Sequence, residues 1–208
     1  MSVITHAQLL DAMALFDVPL IQHHRLDRCS HRDVPWFKHG ARLFDGCGPK
    51  GTWNGHGIAV HHTGGVTSWQ FVWDGRIGER IPGPLYNGEV YPNGLLHLTG
   101  WRITNNVGMI NRHARDLVAA QQMPYDQELH PGADDYGRGN LELYGFAYQG
   151  TTPNAAQAAT MRAVCAAVCH AHGWTAQSIA GHKELTRRKP DPAEDMGRLR
   201  RDVRALLT

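Results

Sequence analysis

A chain of 208 residues is long enough for one well-buried core and does not require two domains. With 42% hydrophobic and 19% charged residues and a net charge of +2, it reads as an ordinary globular protein, and no electrostatic case for nucleic acid exists. No apolar run approaches bilayer length, and Met1 to Leu20 lacks a basic leader while carrying Asp11 and Asp17, so neither membrane insertion nor a secretion signal is expected.

Thr5-His6-Ala7-Gln8 fits a capping box, and Leu9, Leu10, Met13 and Phe16 recur at helical spacing, which predicts a helix over 6–16. From Gln22 to Asn54 the chain is rich in His, Asp, Arg, Gly and Pro and reads as an irregular surface segment. Gly57 to His61 is a predicted buried strand, ended by Thr63-Gly64-Gly65. Residues 68–74, 85–91 and 94–99 are predicted as short strands separated by Gly-containing turns. A short helix is expected over 115–122, an irregular stretch over 124–139 and a strand over 141–148.

Thr152-Pro153 is a helix start, Gly173 is its stop, and Met161, Val164, Cys165 and Val168 share one face between them. Ser178 to Ala180 reads as a strand. A final helix from near Ala193 should turn Met196, Leu199, Val203 and Leu206 inward and Arg198, Arg201 and Arg204 to solvent. This order predicts an α/β fold, a central mixed β-sheet flanked by helices. The expected layout is one domain over 1–208, with 1–54 packed on a core of 55–208.

Cys165 and Cys169, four apart on a helix, read as small buried hydrophobes, while Cys29 and Cys47 leave a bridge open. The pattern suits a reducing compartment.

The 14 histidines direct attention to metal chemistry. His61 and His62 lie at a strand end, where neighbouring side chains face opposite ways, so one of the two can enter a given site. His182 follows a predicted strand. Asp191 stands between Pro190 and Pro192, which hold the chain extended and present the carboxylate stiffly. Lys189, two residues earlier, shares its face. Two imidazoles and a carboxylate are a donor set that holds a catalytic zinc and leaves a position for water.

The segments His61-His62-Thr63, Gly181-His182-Lys183-Glu184 and Lys189-Pro190-Asp191-Pro192 resemble the signature of type 2 N-acetylmuramoyl-L-alanine amidases, zinc enzymes with a peptidoglycan recognition protein-like fold. The resemblance spans roughly 55–207. It implies His61, His182 and Asp191 as zinc ligands, Lys189 and Tyr86 as catalytic groups, and His62 and His113 as substrate-binding residues. Tyr91 and Tyr148 are the other tyrosines open to the Tyr86 role. It further implies a Zn2+ cofactor, a muramyl-peptide substrate and cleavage of the amide between N-acetylmuramic acid and L-alanine. A monomer is expected.

The implied setting is a bacteriophage endolysin, made in the host cytoplasm and released through holin-type holes. The alternatives are a cytoplasmic muropeptide-recycling amidase and a peptidoglycan-binding module that does not cut. Tyr144-Gly145-Phe146-Ala147 departs from the family pattern: Ala147 stands where many relatives have a glutamate base, so the identity of the general base is open. An unrelated zinc hydrolase is disfavoured by the lack of a His-Glu-x-x-His helix.

Overall fold

The structure, a computed structural model, describes residues 4–23, 55–66, 68, 85–99, 104, 106–125, 134–136 and 139–208. Its strands are β1 (Leu20–Gln22), β2 (Gly57–His62), β3 (Gly88–Val90), β4 (Leu96–Leu98), β5 (Leu143–Tyr148) and β6 (Ile179–Gly181). The helices are α1 (His6–Leu15), α2 (Arg112–Ala119), α3 (Gly139–Glu142), α4 (Ala155–His172), α5 (His182–Leu185) and α6 (Met196–Leu206). The strands form one six-stranded sheet in the order β1-β4-β3-β5-β2-β6. Among the described strand pairs only β3–β4 is antiparallel, so the sheet is mixed and the fold is α/β with flanking helices.

Alternation along β2 and β5 divides the core into two layers. Ile58 and Val60 join Tyr144, Phe146 and Tyr148 against α1, α4 and α6. Ala59, Leu143 and Ala180 face the other way, against Ala114 and Val118 of α2. Burying each large apolar side chain contributes about 1.5–3 kcal/mol, so the first layer carries most of the stability. α4 is nearly all apolar on its inner side, and Cys165 and Cys169 lie buried there as free thiols. Burial pushes the Cys169 thiol up to about 12, which keeps it protonated and inert.

Helix boundaries follow caps more closely than apolar spacing. α1 starts at the Thr5–Gln8 capping box, as the sequence suggests. α4 starts later than Thr152-Pro153, because Asn154 and Gln157 form their own capping box. α2 starts at Arg112 rather than 115, since the Asn111 side chain accepts from the Ala114 N–H. Asp195 caps α6 in the same way, so the helix begins at Met196, three residues beyond the expected start near Ala193. Gly173 ends α4 with φ of 66°, a left-handed conformation that suits glycine.

Several expectations need correction. Residues 141–142 are helical, the end of α3, and the strand begins at Leu143. The strands expected over 85–91 and 94–99 shorten to β3 and β4. The strand at 178–180 is shifted by one, because Ser178 closes a 3-10 turn over Ala176–Ser178. β1 had no sequence signal. Leu206 is exposed in the last turn of α6, while Met196, Leu199 and Val203 are buried. The strand expected at 68–74, apart from Ser68, and the segment 24–54 with Cys29 and Cys47 lie outside the described residues.

Candidate metal centre

Register brings the chemistry to one end of the sheet. His61 lies opposite Ala147 of β5. Val60 lies opposite Gly181 of β6, so His182, the next residue, emerges beside His61. Period-two alternation puts His61 on the Ala59 face, while His62 turns to the opposite side, where its Nδ1 lies 2.9 Å from the Thr151 carbonyl.

His182 opens α5, and a buried ion pair fixes that turn. Glu184 accepts from the Gly181 N–H at 2.8 Å and receives Arg200 of α6 on both oxygens, at 2.9 and 2.8 Å. Arg200 also donates to the Ile179 carbonyl at 2.9 Å, so α6 is bonded to β6 and α5 together. Asp191 comes from the following loop, and its carbonyl accepts the Lys183 N–H at 2.6 Å, which draws the loop against α5. Replacing Arg200 with Met is expected to destabilise the fold by about 3–5 kcal/mol, because Glu184 would stay buried without its partner. The double variant Arg200→Met/Glu184→Gln should recover much of that loss. Urea unfolding of the metal-free proteins measures both, and equal stability of Arg200→Met and wild type would refute the expectation.

Three donor atoms converge in this frame. His61 Nδ1 lies 3.1 Å from His182 Nδ1 and 3.2 Å from Asp191 Oδ2, and His182 Nδ1 lies 3.3 Å from the same oxygen. All three residues are buried, at 1%, 5% and 6% exposure. Tetrahedral zinc bonds of about 2.0–2.2 Å place neighbouring ligand atoms about 3.3 Å apart. The triangle therefore matches one face of a tetrahedron, and the group can hold a metal ion with a fourth position left over.

The electrostatics agree with ligation. Burial holds the His61 imidazole down at about 4, helped by the charge of His182 and opposed by Asp191, so it is neutral at physiological pH. Burial pushes Asp191 up, but hydrogen bonds and charge from His182 and His61 outweigh it and hold the carboxyl well below its usual range. A neutral imidazole and an ionised carboxylate are the forms that bind metal. The Nε2 atoms of both rings are buried without a hydrogen-bond partner, and a metal ligated through Nδ1 would place the ring proton of each there.

The other predicted residues separate. The Tyr86 ring lies 5.1 Å from the His61 ring, and its hydroxyl feels Asp191. Burial, then Asp191 and Glu89, raise the phenol well above its usual value, so it remains a proton donor. Tyr91 stacks on His97, and Tyr148 is buried in the opposite core layer, so neither is brought to the triad. Lys189 is exposed, and its ammonium acts on His61. His62 faces away, and His113 is exposed on α2; neither joins the cluster.

Sequence reasoning missed Glu184 and Arg200 as supports of His182, and it missed Glu89, a fully buried carboxyl in β3. A signal was present for two of them. Glu89 is an isolated acid inside a predicted strand, and Arg200 lies between the inward Leu199 and Val203.

No family model matches the chain, and no curated protein matches it. Among solved structures it is similar to the N-acetylmuramoyl-L-alanine amidase LysC from Clostridium intestinale URNW, with 15% identity over 74% of this chain and 86% of that chain and a TM-score of 0.48. It is also similar to the endolysine N-acetylmuramoyl-L-alanine amidase LysCS from Clostridium intestinale URNW, with 14% identity over 65% of this chain and 73% of that one and a TM-score of 0.43.

Proposed function

We propose that the chain is a zinc-dependent N-acetylmuramoyl-L-alanine amidase acting on bacterial peptidoglycan. The observation that carries this reading is the convergence of His61, His182 and Asp191. These residues come from the segments whose order and spacing resemble the type 2 amidase signature. When bound, a zinc ion would supply Lewis acidity and a water activated near neutral pH.

The protein's own groups do the rest. The ligand triad, buried and pinned through Glu184 and Arg200, keeps its geometry as substrate arrives. Attack on the amide carbon puts negative charge on the carbonyl oxygen. The Tyr86 hydroxyl, a protonated donor beside His61, and the Lys189 ammonium stabilise that charge. The proton lost by the attacking water goes to the leaving nitrogen, so the products are a free lactyl carboxyl and a free L-alanine amine.

Residues 1–208 act in this proposal as one catalytic domain working as a monomer. Its setting is a phage endolysin reaching the wall after release through the membrane. Digestion of purified peptidoglycan, read by mass spectrometry with metal content measured alongside, tests the reading. The expected products carry one added water, split between muramic acid and L-alanine, with about one zinc per chain. A zinc-loaded chain that binds muropeptides and cleaves none would make it a binding module instead. Turbidity loss of intact sacculi, against cleavage of soluble anhydro-muropeptides, separates an endolysin from a recycling amidase.

A further inference from the structure

The loop that joins His182 to Asp191 is tied to a segment about fifty residues earlier, and the ties meet at one carboxyl oxygen. Thr186 ends α5, where its N–H donates to the His182 carbonyl at 3.0 Å. Its side-chain oxygen accepts the Arg188 N–H at 3.2 Å, which closes a tight turn over 186–188. The Thr186 hydroxyl donates to Asp134 Oδ2, and Arg188 Nε donates to the same oxygen at 3.2 Å. The far end of the guanidinium donates to the Met109 carbonyl at 2.6 Å. Lys189 follows directly, and Asp191 comes two residues later.

Asp134 is held from behind. Tyr136 and the fully buried Ile110 exchange both backbone hydrogen bonds, at 2.9 and 3.0 Å. The Tyr136 hydroxyl donates to Glu142, which also receives Arg115 Nε at 2.8 Å. The guanidinium carbons of Arg112 and Arg115 lie 5.3 and 5.2 Å from the Tyr136 ring centre. Residues 134–136 are therefore a strap moored to α2 and α3, with Asp134 as its hook on the metal-site loop. The Asp134 side chain is 12% exposed and that of Arg188 58%, so their ion pair adds little to stability. What it fixes is the place of the turn.

We infer that Asp134 is a positioning residue for Lys189: by holding Thr186 and Arg188 it sets the turn from which the Lys189 ammonium reaches the substrate's carbonyl oxygen. This rests on the amidase reading, in which Lys189 stabilises the charge that builds on that oxygen. Asp191 is fixed separately, since its own carbonyl takes the Lys183 N–H at 2.6 Å, so the triad should survive the loss of Asp134. An uncharged amide in place of Asp134 would accept the Thr186 hydroxyl but hold the guanidinium more weakly, because bonds between charged partners are about twice as strong as neutral ones.

The test is turnover of a soluble muropeptide by the zinc-loaded wild type, Asp134→Asn, Asp134→Ala and Arg188→Ala, each made again in a Lys189→Ala background. Asp134→Ala and Arg188→Ala are expected to lower kcat by about 10- to 100-fold, the scale of misplacing a reacting group by an ångström. Asp134→Asn, which keeps the shape and removes the charge, should also lose turnover. Zinc content and the urea midpoint should stay close to wild type. In the Lys189→Ala background none of the three should cost anything further, because the group being positioned is gone. A merely structural role would lower turnover in both backgrounds alike.

Amide hydrogen exchange of the metal-free proteins reads the turn without turnover. The Arg188 N–H, bonded to Thr186, should exchange faster in Asp134→Ala than in wild type. Unchanged exchange there overturns the assignment. So does wild-type kcat in Arg188→Ala or Asp134→Asn, or a full loss in the Lys189→Ala background; each of these leaves the amidase reading intact. A zinc-loaded wild type that cleaves nothing sinks the amidase reading and takes the assignment to Lys189 with it.

Discussion

Substituting His182 with alanine is expected to strip zinc from the chain and to lower amidase turnover by far more than the roughly 10–100-fold that loss of a supporting group outside the ligand set produces. The imidazole is buried at 5% exposure, and its Nδ1 stands 3.1 and 3.3 Å from the other two donors. Alanine leaves two donors, too few to complete a tetrahedral site with one open position. Metal content by elemental analysis and product release by mass spectrometry read the two effects separately. His62→Ala is the informative partner experiment: its ring faces Thr151, away from the triad, so zinc content should stay at the wild-type level. A His182→Ala chain that keeps stoichiometric zinc and full turnover would remove the centre from its assigned place.

The three residues that converge, His61, His182 and Asp191, were legible because local chemistry marks them. A strand ending in His-His, a Gly-His step after a strand, and an Asp held between prolines each leave a trace within a few residues. Choosing between His61 and His62 by residues alone was harder, since strand alternation says only that they differ. Register decides it, because Ala59 shares its face with Ala180 and the α2 layer. The α4 helix and its stop were also legible, through apolar spacing and Gly173.

What stayed hidden depends on distant parts of the chain. The Glu184–Arg200 pair joins α5 to α6 across sixteen residues, and nothing near Arg200 separates it from its exposed neighbours except the helical phase of Leu199 and Val203. β1 is three residues long and pairs with β4, far along the chain. Such an edge strand takes its conformation from its partner rather than from propensity. That Glu89 lies in line with Ala147 and His61 depends on three strands being in register, which no local pattern encodes.

Tyr86→Phe and Lys189→Ala are each expected to lower kcat by about 10²–10³-fold while zinc content stays unchanged, the scale of removing one donor from a developing oxyanion. The two losses should differ in character. Tyr86 is half-buried, and its hydroxyl stays protonated because burial, Asp191 and Glu89 all raise it. Its contribution is a fixed hydrogen bond in a low-dielectric setting, so the Tyr86→Phe defect should be nearly insensitive to salt. Lys189 is exposed, and its charge is open to screening over a Debye length of about 10 Å at 0.1 M salt. Raising ionic strength should therefore slow the wild type toward the Lys189→Ala rate. Kinetics at two salt concentrations distinguish these cases. A change confined to KM, with kcat preserved, would mean that the residue holds the ground-state substrate rather than the charge that builds as the amide breaks.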